Sequence, residues 1–206
     1  DPSGQPLDVD VIVIGGGVNG TGVARDLALR GLTVALFERN DIAFGASGNS
    51  SGMIHGGPRY LTADPDVTYT SCLDSGHIQR IAPHLLFRIP FLMPLFQGHG
   101  LSARVVLTLY DAFFALYDEY QPLKRGKPHV RLSQSDVAAL EPGLVSGSLG
   151  GVTFDEWGID GARLCIGNVV DAEERGAEIR VHTTVSEILR RDDGRVYGVR
   201  FRDRRS

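Results

Sequence analysis

The sequence predicts an α/β fold in which a parallel sheet is combined with inserted antiparallel strands. Three features of the 206 residues lead to this prediction. An apolar, β-branched run over residues 9–14 is typical of a strand buried on both faces, and it leads into a glycine-rich turn and a helix. Residues 85–96 are apolar but contain prolines, as edge or irregular strands do. Beyond residue 149, the patterns predict a strand over 149–154, a helix over 160–175 and strands over 178–182, 185–191 and 195–202. The turn at Gly176 is expected to return the chain to the parallel sheet.

The first strand, residues 9–14, ends in a turn that fits the pattern G-x-G-x-x-G at Gly15, Gly17 and Gly20. The first glycine permits the tight turn, the second lets the backbone approach a pyrophosphate, and the third lets the following helix pack closely on the strand. That helix, predicted over residues 18–30, directs backbone N–H groups and the positive end of its dipole at the phosphates. The pattern therefore indicates a Rossmann-like, dinucleotide-binding unit.

A second strand, residues 32–37, ends in Glu38. It lies roughly 20 residues past the fingerprint, where an acidic side chain accepts hydrogen bonds from the adenosine ribose and disfavours a 2′-phosphate. The small, polar segment 46–52 follows and can pass close to a pyrophosphate and a ribityl chain. A plain surface loop would explain its composition but not its placement, so FAD is favoured over NAD.

These motifs resemble the N-terminus of FAD-dependent glycerol-3-phosphate dehydrogenases. Residues 10–61 carry the resemblance, and they read DVIVIGGGVNGTGVARDLALRGLTVALFERNDIAFGASGNSSGMIHGGPRYL. Residues 81–85 and 155–168 support it, whereas Pro58 departs from the family pattern and removes an N–H donor. The resemblance implies oxidation of sn-glycerol 3-phosphate to dihydroxyacetone phosphate, with hydride transfer from C2 to flavin N5 and electrons passed to a quinone at a membrane.

The motifs and the resemblance together predict the residues that bind the cofactor. The FAD set comprises Gly15, Gly17, Val18, Asn19, Gly20, Glu38, Arg39, Ala46, Ser47, Ser50, Ser51, His55, Gly56 and Val185. Val185 enters through the backbone amide that related flavoproteins use near the adenine.

The segment after the flavin loop predicts substrate contacts. His55 is the candidate catalytic residue, and the sequence supports two interpretations of it equally. In one, its side chain lies beside the isoalloxazine; in the other, it only forms hydrogen bonds with the loop backbone. Arg59 offers a planar fork suited to a phosphate, and Tyr60 adds a hydroxyl. The alternative for Arg59 is an ion pair with a carboxylate. The catalytic base is expected outside these residues.

The domain prediction assigns residues 1–85 and 155–206 to an FAD-binding domain that lacks its C-terminal part, and residues 86–154 to part of a substrate or cap domain. We expect an N-terminal fragment that ends inside a sheet and binds FAD weakly or not at all. The alternatives are another FAD-dependent oxidoreductase, acting on an amine or a 2-hydroxy acid, and an inactive nucleotide-binding fragment. Residues 101–120 predict a core helix, with peripheral membrane contact as the rival reading, and residues 121–128 predict a solvated loop.

Composition excludes several classes of function. A net charge of −4 gives no support for nucleic-acid binding, and no histidine and cysteine spacing suits a metal site. Cys72 and Cys165 fall in predicted helices, which indicates buried thiols in a reducing compartment. The polar first residues lack a signal-peptide pattern. We expect a cytoplasmic protein, with contact to the inner face of the cell membrane as a further hypothesis.

Overall fold

A computed structural model describes residues 7–96, 102–144 and 147–204. The chain divides into two compact units. Unit 1 contains the described residues up to Gly52 and from Asp160 onward, and unit 2 contains Met53–Ile159. The domain assignment stays a prediction: residues 1–85 and 155–206 for the cofactor, and residues 86–154 for the substrate. The division into two units rests on contacts between residues, and it does not show which ligand each unit binds.

Helices and strands follow the order expected for an α/β chain. The helices are α1 (Val18–Leu29), α2 (Pro65–Ile81), α3 (Ala103–Asp118), α4 (Gln134–Leu140) and α5 (Gly161–Glu174). The strands are β1 (Val11–Ile14), β2 (Val34–Phe37), β3 (Leu86–Phe96), β4 (Val130–Leu132), β5 (Ser148–Ile159), β6 (Glu178–Arg180), β7 (Thr183–Arg190) and β8 (Val196–Asp203).

Unit 1 is built on a parallel sheet in the order β1-β2-β6. The central strand β2 is buried along its whole length, as its continuous apolar run predicts. Helices α1 and α5 contribute small side chains, Ala24, Ala28 and Ala172, to a core shared with Val34 and Leu36. Small residues let the helices approach the sheet closely. The antiparallel hairpin β7-β8 also belongs to this unit.

The return of the chain to the parallel sheet confirms a prediction from the sequence. Asp160 caps the N-terminus of helix α5, where its carboxylate accepts a hydrogen bond from the Arg163 amide at 3.0 Å. The helix ends before Gly176, which has a φ of +88°, a left-handed conformation that favours glycine. Strand β6 follows at once and pairs with β2 in parallel.

Unit 2 contains an antiparallel sheet in the order β3-β5-β4, so β3 is an edge strand. Pro90 and Pro94 lie in β3, and they have no N–H to give to a further strand. The predicted edge strand over 85–96 is therefore confirmed. The prediction that β5 covers only 149–154 is wrong, because β3 pairs with β5 as far as Ile159 and carries Asp155 and Glu156 within the ladder.

Helix α3 buries one face in the core of unit 2. Phe114 and Tyr117 are fully buried beside Phe154 of β5, while Leu109 and Leu116 on the other face are exposed. The predicted core helix is confirmed for its buried face, and membrane contact by the exposed face stays a prediction. Within the part of the chain that the structure describes, no helix is both long and apolar enough to cross a bilayer.

Candidate functional site

The predicted adenosine end of the cofactor site forms a real cavity in unit 1. Gly15, Glu38, Arg39 and Val185 line a space of about 340 Å³ at the carboxyl ends of β1 and β2. Thr183 and Thr184 complete the lining together with Ile14 and Phe37. The carboxyl edge of a parallel sheet is where α/β proteins bind nucleotides. The structure therefore brings together predicted residues from three separate segments of the chain.

Glu38 has a structural task in addition to the predicted one. Its Oε2 accepts a hydrogen bond from the Gly16 amide at 2.8 Å, and its Oε1 accepts one from the Asn40 amide at 2.7 Å. The carboxylate thus pins the glycine-rich turn before any ribose binds. A carboxylate offers about four lone-pair sites, so acceptor capacity remains for ribose hydroxyls.

The N-terminus of α1 has no side-chain cap. Gly17 caps the helix without a side chain, and Val18 and Asn19 in its first turn are exposed. The Val18 amide donates a hydrogen bond to Ser47 Oγ at 2.9 Å, which brings the predicted flavin loop to the same helix end. A Cβ at position 17 would lie 3.1 Å from Ser47 Oγ, so a side chain there would press on the contact between the flavin loop and the helix end.

Gly20 fills the role predicted for the third glycine. A Cβ at this position would overlap the carbonyl oxygen of Gly15, because the first turn of α1 packs directly against the end of β1. By contrast, a Cβ at Gly22, half a turn further along the same helix, would meet only the Asn168 amide nitrogen at 3.9 Å.

The remaining predicted residues of the flavin loop lie on the surface of unit 1. Ala46, Ser50 and Ser51 are exposed, and the Ser50 hydroxyl accepts a hydrogen bond from the Gly52 amide at 3.2 Å. Asn49 ties the loop to itself by donating to the carbonyl oxygens of Phe44 and Gly45. Contacts of Ala46, Ser50 and Ser51 with a flavin stay a prediction.

His55, Gly56, Arg59 and Tyr60 lie in unit 2. The His55 side chain is exposed and makes no hydrogen bond within the described residues. The Arg59 guanidinium is exposed and lies over the Tyr60 ring at 5.8 Å from its centroid. No carboxylate among the residues that the structure describes forms an ion pair with Arg59. The proline that departs from the family pattern begins the short 3₁₀ helix Pro58–Tyr60, where a missing N–H costs little.

The backbone beneath these side chains is tightly packed. Gly56 and Gly57 are buried, and Gly57 has a φ of +65°. A Cβ at Gly56 would overlap the Cys72 sulfur and the Tyr117 hydroxyl. Only glycine fits at position 56. Packing therefore requires this glycine, which the sequence analysis assigned only to cofactor binding.

The structure also shows a buried charged cluster that sequence reasoning missed. Lys124 was predicted to be solvated, but its side chain is fully buried and its Nζ lies 2.6 Å from Glu156 Oε2. Tyr117 donates to Glu156 Oε1 at 2.5 Å, and the Gly56 amide donates to Glu156 Oε2 at 3.2 Å. The prediction was wrong because Tyr117 of α3 and Glu156 of β5 enclose the Lys124 side chain. The local sequence of residues 121–128 gives no sign of these contacts.

Both cysteines are free and buried, as predicted. Burial raises the pKa of Cys72 to about 11, and the pKa of the Tyr117 hydroxyl also rises, first through burial and then through the nearby Glu156 charge. Burial likewise raises the pKa of Cys165. Protonated, covered thiols are poor nucleophiles. No group of acidic, histidine or cysteine side chains in the described ranges could hold a metal ion.

The family model described as FAD dependent oxidoreductase matches residues 10–205. The chain belongs to this family. The match confirms the α/β fold with a Rossmann-like unit, and it confirms FAD as the cofactor of the family, as the glycine turn, Glu38 and the following small-residue loop predict.

Relatives within the family confirm the resemblance to glycerol-3-phosphate dehydrogenases. A glycerol-3-phosphate dehydrogenase from Mycobacterium leprae is 38% identical over 197 residues, covering 94% of this chain and 33% of that protein. An alpha-glycerophosphate oxidase from Streptococcus pyogenes serotype M3 is 34% identical over 206 residues, covering 97% and 33%. The structure of glycerol-3-phosphate dehydrogenase from Bacillus halodurans complexed with FAD is 26% identical with a TM-score of 0.64, covering 96% of this chain and 31% of that one. The chain thus spans about a third of these relatives.

Proposed function

We propose that this chain supplies the FAD-binding end and part of the substrate site of an enzyme that oxidises sn-glycerol 3-phosphate to dihydroxyacetone phosphate. The observation that carries the proposal is the cavity at the ends of β1 and β2, where Gly15, Glu38 and Val185 meet. The names of relatives that are 34% and 38% identical support the substrate. Below, the full-length form means a chain of the relatives' length that contains these residues.

The residues of unit 1 fit an FAD molecule. The exposed amide end of α1 beside Gly17 suits the pyrophosphate, since it presents N–H donors and a positive dipole end. Glu38 retains lone pairs for the ribose hydroxyls while it holds the turn through Gly16. Val185 lines the same cavity, so its backbone amide is the candidate contact for the adenine. When bound, FAD would supply the acceptor for the hydride that leaves C2 of the substrate.

The residues of unit 2 would bind and orient the substrate. Arg59 is exposed and free of carboxylate partners in the described ranges, so its fork is available for two parallel hydrogen bonds to a phosphate. The Tyr60 hydroxyl can add a donor, and His55 is the candidate for contact with the flavin. The Arg59 guanidinium lies over the Tyr60 ring, 5.8 Å from its centroid, so the two candidate groups lie side by side.

The electron acceptor and the location belong to the same proposal. We propose that electrons pass to a quinone and that the enzyme is cytoplasmic and contacts the inner face of the membrane peripherally. The family resemblance supports the quinone, and the exposed apolar face of α3, with Val105, Leu109 and Leu116, is the candidate contact surface. One relative is named an oxidase and another a dehydrogenase, so the acceptor is the part that most needs measurement.

The proposal is tested by an absorbance spectrum and a substrate comparison. The full-length form should purify with the absorbance bands of flavin and should oxidise glycerol 3-phosphate in preference to glycine, sarcosine and 2-hydroxyglutarate. Parallel assays with a quinone analogue and with dissolved oxygen identify the acceptor. A full-length form that carries flavin but prefers an amine or a 2-hydroxy acid would overturn the substrate, and one without flavin would overturn the cofactor.

A further inference from the structure

A closed network of buried polar groups lies directly beneath the loop that carries His55. Lys124 Nζ donates to the Tyr117 hydroxyl at 3.0 Å, to the Asp155 carbonyl at 3.1 Å and to Glu156 Oε2 at 2.6 Å, which uses all of its protons. Lys124, Tyr117 and Glu156 are each at most 1% exposed. No solvent reaches this ion pair, and every donor in it has a partner within unit 2.

Glu156 is the member of the network that touches the loop. Its Oε1 is fixed by Tyr117 and its Oε2 by Lys124, which leaves Oε2 aimed at the Gly56 amide, 3.2 Å away. The contact joins residues that are 100 positions apart in the chain. The carboxylate therefore cannot turn away from Gly56 without breaking bonds to both Tyr117 and Lys124.

Helix α2 and strand β5 fix the rest of the loop backbone. The Ile54 amide donates to the Trp157 carbonyl at 3.0 Å, and the Ile54 carbonyl accepts from the Ser75 hydroxyl at 2.9 Å. The Gly57 carbonyl accepts from the Thr68 hydroxyl at 3.4 Å. Between these anchors, the bond from Gly56 to Glu156 is the one that depends on buried charges.

Stability alone does not explain a charged pair at this place. Replacing a buried ion pair by apolar side chains of similar volume is often neutral or stabilising, because desolvation offsets the attraction between the charges. Phe114 and Phe154 already give this part of unit 2 an apolar core. What Glu156 and Lys124 add is an acceptor of fixed orientation for one buried amide, and a fixed loop is what a functional site needs.

We propose that Lys124 and Glu156 are positioning residues of the reaction: they hold the Gly56 amide and thereby fix the orientation of His55, Arg59 and Tyr60. The inference rests on the proposed function, since it gives that loop its task. The paired charges act on substrate only through the backbone that they hold, and they make no contact with His55 or Arg59 themselves.

Two double variants isolate the bond to Gly56. K124M/E156Q removes both charges but keeps an oxygen for the amide, with the new amide group able to donate to Tyr117. K124M/E156L removes both charges and the acceptor. The control is Arg88→Met, which breaks the ion pair between Arg88 and Asp155 at 2.6 Å, the bond to the Arg125 carbonyl and the contact with the Trp157 ring, but removes no hydrogen bond of Gly56 or Glu156.

The first readout is amide hydrogen exchange of Gly56 in this chain, followed by NMR. Loss of the acceptor leaves a buried donor unpaired, so Gly56 should exchange about tenfold or more faster in K124M/E156L than in K124M/E156Q. Arg88→Met should leave the rate unchanged. Equal Gly56 exchange in the two double variants, at equal melting temperature, would overturn the proposal.

Tyr117→Phe keeps the test decisive if K124M/E156L does not fold. This substitution frees Glu156 Oε1 and removes one of the three acceptors of Lys124 Nζ, while both buried charges and the residue at position 56 stay in place. The carboxylate can then rotate, and Gly56 exchange should accelerate relative to Arg88→Met. An unchanged exchange rate in Tyr117→Phe would mean that the network does not hold the loop.

The second readout is kinetic and uses the full-length form. K124M/E156L should retain flavin absorbance and lose about tenfold or more in kcat/KM for glycerol 3-phosphate relative to K124M/E156Q. Equal kcat/KM in both would contradict the positioning role. If the unsubstituted full-length form does not oxidise glycerol 3-phosphate, the proposed function fails and so does the catalytic role. The exchange rate of Gly56 still decides whether the network holds the loop.

Discussion

Three glycines of the same turn and helix should respond differently to a side chain, and the contrast tests the cofactor site. We expect Gly17→Val to abolish FAD retention while leaving the chain folded, Gly20→Ala to impair folding itself, and Gly22→Ala to impair neither FAD retention nor folding. The positions lie within two turns of each other, and the Gly20 and Gly22 variants gain the same side chain.

The magnitudes follow from what each new Cβ would meet. Gly17 has a φ of −81°, which any residue adopts, so the cost to folding is limited to disturbing the Ser47 contact, about 0.5–1.5 kcal/mol for one hydrogen bond. At Gly20 the Cβ would overlap the Gly15 carbonyl and force α1 off the sheet, which costs about 1–3 kcal/mol or more. Gly22 has open space, and alanine should stabilise the helix by about 0.5–1 kcal/mol.

The assay combines denaturant unfolding of this chain with the flavin content of the full-length form. Gly17→Val should keep a free energy of unfolding close to that of the unsubstituted chain and should purify without flavin. Gly22→Ala should keep both. Full flavin retention in Gly17→Val would refute the pyrophosphate cradle, and equal stability of the Gly20 and Gly22 variants would refute the packing role of the third glycine.

Two further predictions concern unit 2. Arg59→Ala in the full-length form should lower kcat/KM for glycerol 3-phosphate about ten- to hundredfold with FAD retained, since a charge-assisted contact contributes about 1.5–3 kcal/mol. Arg59→Lys should recover only part of the lost kcat/KM, because an ammonium keeps the charge but lacks the planar fork. An equal loss of kcat/KM with glycerol as substrate would show that Arg59 has a structural role. Burial lowers the pKa of His129, but its hydrogen bonds to Asp118 and Asp111, and their charges, outweigh burial and raise that pKa above its ordinary value of 6.5. The resulting stability is present below pH 6.5 and is lost as the pH rises through the raised pKa. Unfolding of the unsubstituted chain and of His129→Asn at several pH values checks this, with Arg131, 3.9 Å from Asp111, left in place; a difference that grows with pH would contradict it.

The parts of the fold that depend on local pattern were predictable. The buried strand, the glycine turn, α1 and the acidic end of β2 follow one another within a few dozen residues, and each has its own signature in residue type and spacing. The edge position of β3 was predictable for the same reason, because a proline excludes a central place in any sheet. The α4 start at Ser133, where Asp136 completes a capping box, depends on an equally local signal, a serine followed by an acidic residue three positions later.

The errors occurred where neighbours distant in sequence decide the outcome. Strand β5 continues past Phe154 because β3 pairs with it as far as Ile159, and no residue pattern within β5 indicates this pairing. The second task of Glu38, holding the Gly16 amide, needs the turn to fold back over the end of β2. Both contacts join residues that are too far apart in the sequence for a local pattern of residue types to predict them.

The sequence by itself determined the nucleotide-binding unit, because glycine spacing, strand composition and an acidic strand end are constraints that short segments satisfy or fail alone. Only the tertiary structure decided that Lys124 is buried and that Glu156 supports the loop of His55. Lys124 and Glu156 are 32 positions apart, and Glu156 and Gly56 are 100 apart. A buried charge needs a partner whose attraction offsets the cost of desolvation. For Lys124 that partner is in place only once α3 and β5 have packed together.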